Sequence, residues 1–117
     1  MSDAYTSHVL QLSPKQIDIL ESITSQGFAI VAFPLYASAV GVRKGNCAAL
    51  LTPQPEGGFR LLGDACWLVD GNLSVKIQKN GAQRFVWKKQ EVEATAERLR
   101  EIASFRDALE NLLIAKT

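Results

Sequence analysis

The chain changes hydrophobic period twice along its length. Over residues 14–26 the apolar positions Ile17, Leu20 and Ile23 recur every third residue, the spacing of one helical face. Ser13-Pro14-Lys15-Gln16 stands at the head of that run. Ser is a good N-cap, Pro fits the first helical position, and a Gln three residues after the cap can bond back to the cap amide. Gly27 supplies a stop. The pattern predicts a helix over 14–26.

After Gly27 the period shortens to that of strands: short apolar or alternating runs separated by turn residues, as in an antiparallel meander. Strands are predicted at 28–33, 38–43, 47–52, 59–62 and 65–69. Another has Leu73, Val75 and Ile77 alternating with Ser74, Lys76 and Gln78, and a last one carries Phe85 and Trp87. Lys44-Gly45-Asn46 reads as a tight turn, 53–58 (PQPEGG) as a longer loop and Gly63-Asp64 as a bulge. Asp70-Gly71 and Asn80-Gly81 are the strongest hairpin signals, because a type I′ turn needs positive φ at both central positions.

Beyond Gln90 the helical period returns. Val92, Ala96, Leu99, Ile102, Phe105, Leu109 and Leu113 recur at three and four, and no Pro or Gly follows Gly81. This predicts a second helix over 92–115, with Lys88-Lys89 marking the passage into it. The expected fold class is α+β: an N-terminal helix, a five- or six-stranded antiparallel meander sheet and a long C-terminal helix, with both helices packed on one sheet face. A barrel-like sheet capped by the last helix is the alternative.

A chain of 117 residues is long enough for one real core, so residues 1–117 are read as a single compact domain, with 1–7 as a flexible tail. With 47% hydrophobic and 21% charged residues, the composition is that of a globular domain and excludes disorder, coiled coil and collagen-like repeats. Residues 22–42 carry no charge, but they begin with Ser22, Thr24, Ser25 and Gln26, and Gly27 and Pro34 interrupt them. The apolar remainder falls short of the ~20 residues a helix needs to cross a bilayer. The N-terminus also lacks the basic stretch of a signal peptide. No membrane partner and a cytoplasmic location are expected.

Charge is unevenly spread. Residues 37–89 hold Arg43, Lys44, Arg60, Lys76, Lys79, Arg84, Lys88 and Lys89 against Glu56, Asp64 and Asp70, while both flanking segments are net acidic. Within the basic segment QRFVWKKQ (83–90) combines two rings with three cations and raises the question of a nucleic-acid platform. Period-two alternation answers it in part: Phe85 and Trp87 point one way, Arg84, Val86 and Lys88 the other. Stacking rings and phosphate-binding cations therefore cannot share one exposed face, and nucleic acid is not favoured. The rings are expected to join Leu73, Val75 and Ile77 under the helices, leaving Lys76, Arg84 and Lys88 as a candidate anion-binding set on the outer face.

Catalytic chemistry finds little support. His8, the one histidine, lies in the N-terminal tail. Asp70 is a turn residue and Asp64 sits at the bulge, which makes them a poor acid–base pair. No glycine cluster precedes a helix with phosphate-loop spacing. Cys47 and Cys66 have apolar neighbours and no metal-ligand spacing; buried free thiols are expected, a cross-strand disulfide being the alternative. Glu93, Glu97 and Glu101, four apart, would form an acidic stripe on the last helix, ordinary near a helix N-terminus but also a possible docking or weak divalent-cation surface. No cofactor, metal or catalytic residue is assigned. The apolar excess around Phe33, Leu35 and Tyr36 points instead to a surface for self-association. The expected function is a non-enzymatic interaction or scaffold module, a homodimer or a binder of another protein, formed through an edge strand or the last helix. Binding of an anionic ligand or nucleic acid through the basic sheet face is the alternative.

Overall fold

A computed structural model describes residues 11–116; the tail at 1–7 and His8 lie outside them. Helix α1 runs Pro14–Ser25 and begins with the predicted capping box. The Gln16 amide donates to Ser13 Oγ at 3.1 Å and the Ser13 amide donates to Gln16 Oε1 at 2.9 Å. The same Gln16 side chain donates through Nε2 to the carbonyls of Gln54 and Gly58, both at 3.0 Å. One residue therefore caps the helix and staples it to the 53–58 loop. The buried stripe is Gln16, Ile19 and Ile23, whereas Ile17 is exposed, so the helix is rotated from the face its apolar spacing indicated. Gly27, at φ 93°, turns the chain into the sheet.

The main sheet consists of β1 (Ala29–Val31), β2 (Val40–Lys44), β3 (Cys47–Pro53), β4 (Phe59–Leu61), β5 (Cys66–Val69) and β6 (Asn72–Leu73). Its order is β1-β2-β3-β5-β6, with β4 also pairing β3, and all pairs are antiparallel. Leu61 faces Leu51 while Cys66 faces Ala48, so the β4–β5 side carries two more residues than β3 over the same stretch. That is the bulge predicted at Gly63-Asp64, with Gly63 at φ 73°. Helix α2 (Ala96–Lys116) and α1 cover one face. There Val40, Val42, Ala49, Leu51 and Trp67 meet Ile19, Ile23, Phe105 and Leu109 in a continuous core. The α+β architecture with both helices on one face is thus the one the sequence pattern predicts.

The second face of the sheet is also partly covered. The segment after β1 is a 3-10 turn, Pro34–Tyr36, where the sequence pattern predicted strand as far as residue 33. It folds the chain back so that the Phe33 ring lies against Gly41. A side chain at 41 would collide with that ring, which is why glycine stands there. Ala48, Leu50 and Leu68, which alternate with the helix-facing residues, are buried as well.

Beyond β6 the strand does not simply continue. Asp70-Gly71 and Asn80-Gly81 form the predicted two-residue turns, all four residues at positive φ. Between them Ser74 separates β6 from β7 (Val75–Lys79), and β7 pairs β8 (Ala82–Trp87), which in turn pairs β9 (Gln90–Glu93), in a second, three-stranded sheet. Phe85, 1% exposed, stacks on Trp67 at 6.2 Å between centroids and fastens this sheet to the first.

Two expectations fail in this region. Lys88-Lys89 do not lead into a helix. They are the turn between β8 and β9, with Lys88 at φ 54°, and α2 starts only at Ala96, capped by Thr95 Oγ1, which accepts from the Arg98 amide at 3.1 Å. Val75 and Ile77 do not lie under the helices either: they are 65% and 37% exposed, and every residue of β7 is exposed. No helix among the described residues is long and apolar enough to cross a membrane.

Candidate functional site

In an antiparallel pair, directly opposed residues share a face. Ile77 opposes Arg84, which opposes Glu93; Val75 opposes Val86, which opposes Glu91. That set, with Lys79, makes the outer face of the small sheet. Lys76 opposes Phe85 and therefore belongs to the other face. The three residues of the candidate anion set are accordingly not brought together. Arg84 lies outside, Lys76 lies on the Phe85 side, and Lys88 sits in a turn with its Nζ 5.0 Å from the centre of the Trp87 ring.

Nor is the outer face a bare cationic one. Glu91 takes Lys79 at 3.1 Å and Arg84 at 3.7 Å, charges that the strand β9 brings alongside. Apart from the exposed Glu93 on β9, what remains on that face is mainly apolar: Val75, Ile77 and the half-buried Val86. Strand β7 pairs on one side only, with β8, so it combines an edge with an apolar stripe.

The residues assigned to an interface divide. Leu35 is 76% exposed and Tyr36 43%, and both border a small pocket of about 50 Å³ with Asn72, Leu73 and Trp87. Phe33 is committed to covering Gly41 and is only partly available.

The best-formed concavity lies where β5 and β7 part. β6 pairs β5 through Leu73 and Asn72, but at the next position the Ser74 hydroxyl donates to the Trp67 carbonyl at 2.5 Å. A side-chain bond thus takes the place of the next rung, and the strands diverge. The cleft they leave has a volume of about 600 Å³, with Asp64, Ala65 and Cys66 on one wall and Ser74, Val75 and Lys76 on the other. Phe85 forms part of the floor, and Leu99, Ile102, Ala103 and Arg106 of α2 close it. Burial pushes the Cys66 thiol upward, against an opposing pull from the Ser74 backbone, and so holds it protonated at neutral pH.

A shallower depression of about 730 Å³ lies at the opposite edge of α2, lined by Phe28, Lys44, Cys47, Glu97, Arg100 and Glu101 among others. Lys44 is pinned there, 4.8 Å above the Phe28 ring and donating to the Gln26 carbonyl at 3.2 Å. Cys47 is buried, and its thiol is pushed up to about 11 by burial first, then by Glu101 and Cys66. The two cysteines are free thiols and face opposite sides of the sheet, since Cys66 opposes Ala48, the neighbour of Cys47. Glu93 belongs to β9, so the predicted helical stripe reduces to Glu97 and Glu101. No group of three or more His, Cys, Asp or Glu side chains among the described residues is placed to hold a metal ion.

Comparison of the chain with protein-family models, curated proteins and solved structures finds no match. The functional reading therefore rests on geometry. Of the sequence candidates, only Lys76 lines the deeper cleft. Ser74, Cys66 and Arg106, which also line it, were not singled out as site residues. A signal for part of this was present: a two-residue turn at Asn80-Gly81 fixes Lys76 opposite Phe85 and Ile77 opposite Arg84.

Proposed function

We propose that this chain is a non-enzymatic interaction module that self-associates through the free edge of β7. The observation carrying this reading is a five-residue edge strand exposed at every position, with Val75 65% and Ile77 37% accessible. Such a strand offers unpaired backbone donors and acceptors, and natural proteins usually cover or blunt it. Here its only guards are Lys76 and Lys79.

Those two lysines are compatible with a second copy as the occupant. In a twofold antiparallel pairing centred on Ile77, Val75 faces Lys79 of the other copy and Lys76 faces Gln78, so no lysine meets a lysine. The stripe of Val75, Ile77 and Val86 becomes continuous with its mate across the axis, and two three-stranded sheets join into one. A twofold contact of this kind is self-complementary and closed. The upward-shifted Cys66 and Cys47 thiols support a binding role rather than a nucleophilic one, because the thiolate is the reactive form.

Light scattering across a concentration series tests the proposal. A dimer is expected, reduced to monomer by Ile77→Lys, a substitution at a partly exposed site that leaves the core intact, and unaffected by Leu35→Ser. A monomer at every concentration overturns self-association. Dissociation by Leu35→Ser instead of Ile77→Lys transfers the contact to the 33–36 turn and overturns the β7 assignment.

A further inference from the structure

We propose that the cleft between β5 and β7 is a binding site for a small monocarboxylate with an apolar body. The cleft is not part of the β7 self-association surface argued above, although Val75 and Lys76 border both. Its volume of about 600 Å³ falls within the ~300–1,000 Å³ usual for small-molecule sites.

Its lining has two kinds of surface. Phe85 together with Leu99 and Ile102 of α2 supplies apolar lining, while Lys76 of β7 and Arg106 of α2 supply its cationic residues. Lys76 has no ion-pair or hydrogen-bond partner among the described residues. Arg106 is paired with Asp107 at 3.5 Å and Glu110 at 3.9 Å, all three side chains about half exposed or more, and such surface pairs are worth little and exchange readily. Both cations can therefore turn to a ligand without leaving a buried charge behind.

Asp64 sets the charge of that ligand. It is the one acidic residue on the lining, against Lys76 and Arg106, while Asp107 and Glu110 stand beside Arg106 off the lining. A single carboxylate answers Lys76 and competes for Arg106, whereas a dianion such as a phosphate monoester meets Asp64 and those two carboxylates as repulsive neighbours. Ser74, whose proton is committed to the Trp67 carbonyl, and the protonated Cys66 add only weak polar contacts. The arrangement holds a ligand and carries no group activated to transform it.

Octanoate, octanol and octyl phosphate are the probes, titrated into the ¹⁵N-labelled full chain. Octanoate is expected to bind and to shift amides of residues 64–66, 74–76 and 99–106. Arg106→Gln, at an exposed position, weakens it roughly tenfold, the effect of losing one charge-assisted contact. Ile102→Trp, which fills the cleft, abolishes it. Neither substituted residue belongs to β7 and both lie on the cleft side rather than on its outer face or free edge, so the oligomeric state is expected to stay that of the wild type, and failure here is separable from failure of the self-association reading. Octanol binding as tightly as octanoate, octyl phosphate binding more tightly, shifts confined to the Leu35–Tyr36 surface, or unchanged affinity in Arg106→Gln would each overturn the proposal.

Discussion

Gln16 is the residue on which a single-atom change makes the largest testable difference. Its side chain is 4% exposed, accepts from the Ser13 amide and donates to two carbonyls, Gln54 and Gly58, at 3.0 Å each. Gln16→Glu keeps the shape and the acceptor but replaces the donor nitrogen with an oxygen facing both carbonyls. Each carbonyl keeps a backbone donor, Gly57 for Gln54 and Gln54 for Gly58, so neither is left wholly unpaired. The loss is then two hydrogen bonds at about 1 kcal/mol each, plus a few kcal/mol for burying an uncompensated carboxylate, or about 3–5 kcal/mol in all. The carboxylate is disfavoured in the folded state, so its folded pKa lies above the unfolded value of about 4.3. The penalty is therefore full at neutral pH and is relieved as pH falls through the folded pKa, where a protonated acid can donate to one of the carbonyls. Urea unfolding at neutral and mildly acidic pH measures both effects. Gln16→Leu, which removes the same bonds without a charge, should cost less and show no such pH dependence. If Gln16→Glu matches the wild type at neutral pH, the side chain is not a buried staple and the link between α1 and the 53–58 loop is misread.

Two further substitutions test other parts of the fold. Gly41→Ala would place its Cβ 2.5 Å from both the Phe33 ring and the Val31 carbonyl oxygen; overpacking of this kind costs about 1–3 kcal/mol. Adding Phe33→Ala should recover only part of that, since the Val31 contact is with backbone, and full recovery in chemical denaturation would contradict the geometry. For Cys47, burial lifts the folded pKa to about 11, above the ordinary thiol value of 9.0. The unfolded chain loses its proton first, so the contribution is intact below pH 9 and is lost between 9 and 11, amounting to about 3 kcal/mol. Cys47→Ala should therefore unfold with a shallower loss of stability over that window than the wild type, and identical pH profiles would refute the burial of the thiol.

The elements that local chemistry dictates were legible in the sequence. The Ser13 capping box, the Gly63-Asp64 bulge and the two hairpin turns each rest on a few adjacent residues whose conformational preferences agree with the final fold. Strand β9 escaped because its turn, Lys88-Lys89, contains none of the residues that adopt positive φ cheaply; Lys88 does so at φ 54°, and the following Glu-Val-Glu reads equally as a helix start. The helix face was misplaced for a related reason. A buried polar residue, Gln16, belongs to the stripe, and an exposed Ile17 does not, so apolar spacing alone selects the wrong side.

The site was lost at a different level. Period-two alternation correctly separates Phe85 and Trp87 from Arg84 within one strand, but it says nothing about the neighbouring strand until a register is imposed. The Asn80-Gly81 turn imposes one, with Lys79 opposite Ala82 and hence Lys76 opposite Phe85, and this places Lys76 on the ring side rather than with Arg84. Once there, Lys76 has room because Ser74 has ended the pairing with β5, a choice made by one hydroxyl reaching one carbonyl. Neither Arg106 nor Cys66 can be connected to it from the chain alone, since the contact depends on how α2 lies across two diverging strands. The basic character of the middle segment thus resolves into two different devices. On the outer face Glu91 neutralises Lys79 and Arg84 and leaves an apolar edge, and in the cleft Lys76, beside an Arg106 held only by exposed pairs with Asp107 and Glu110, can meet a charge that the chain does not itself supply.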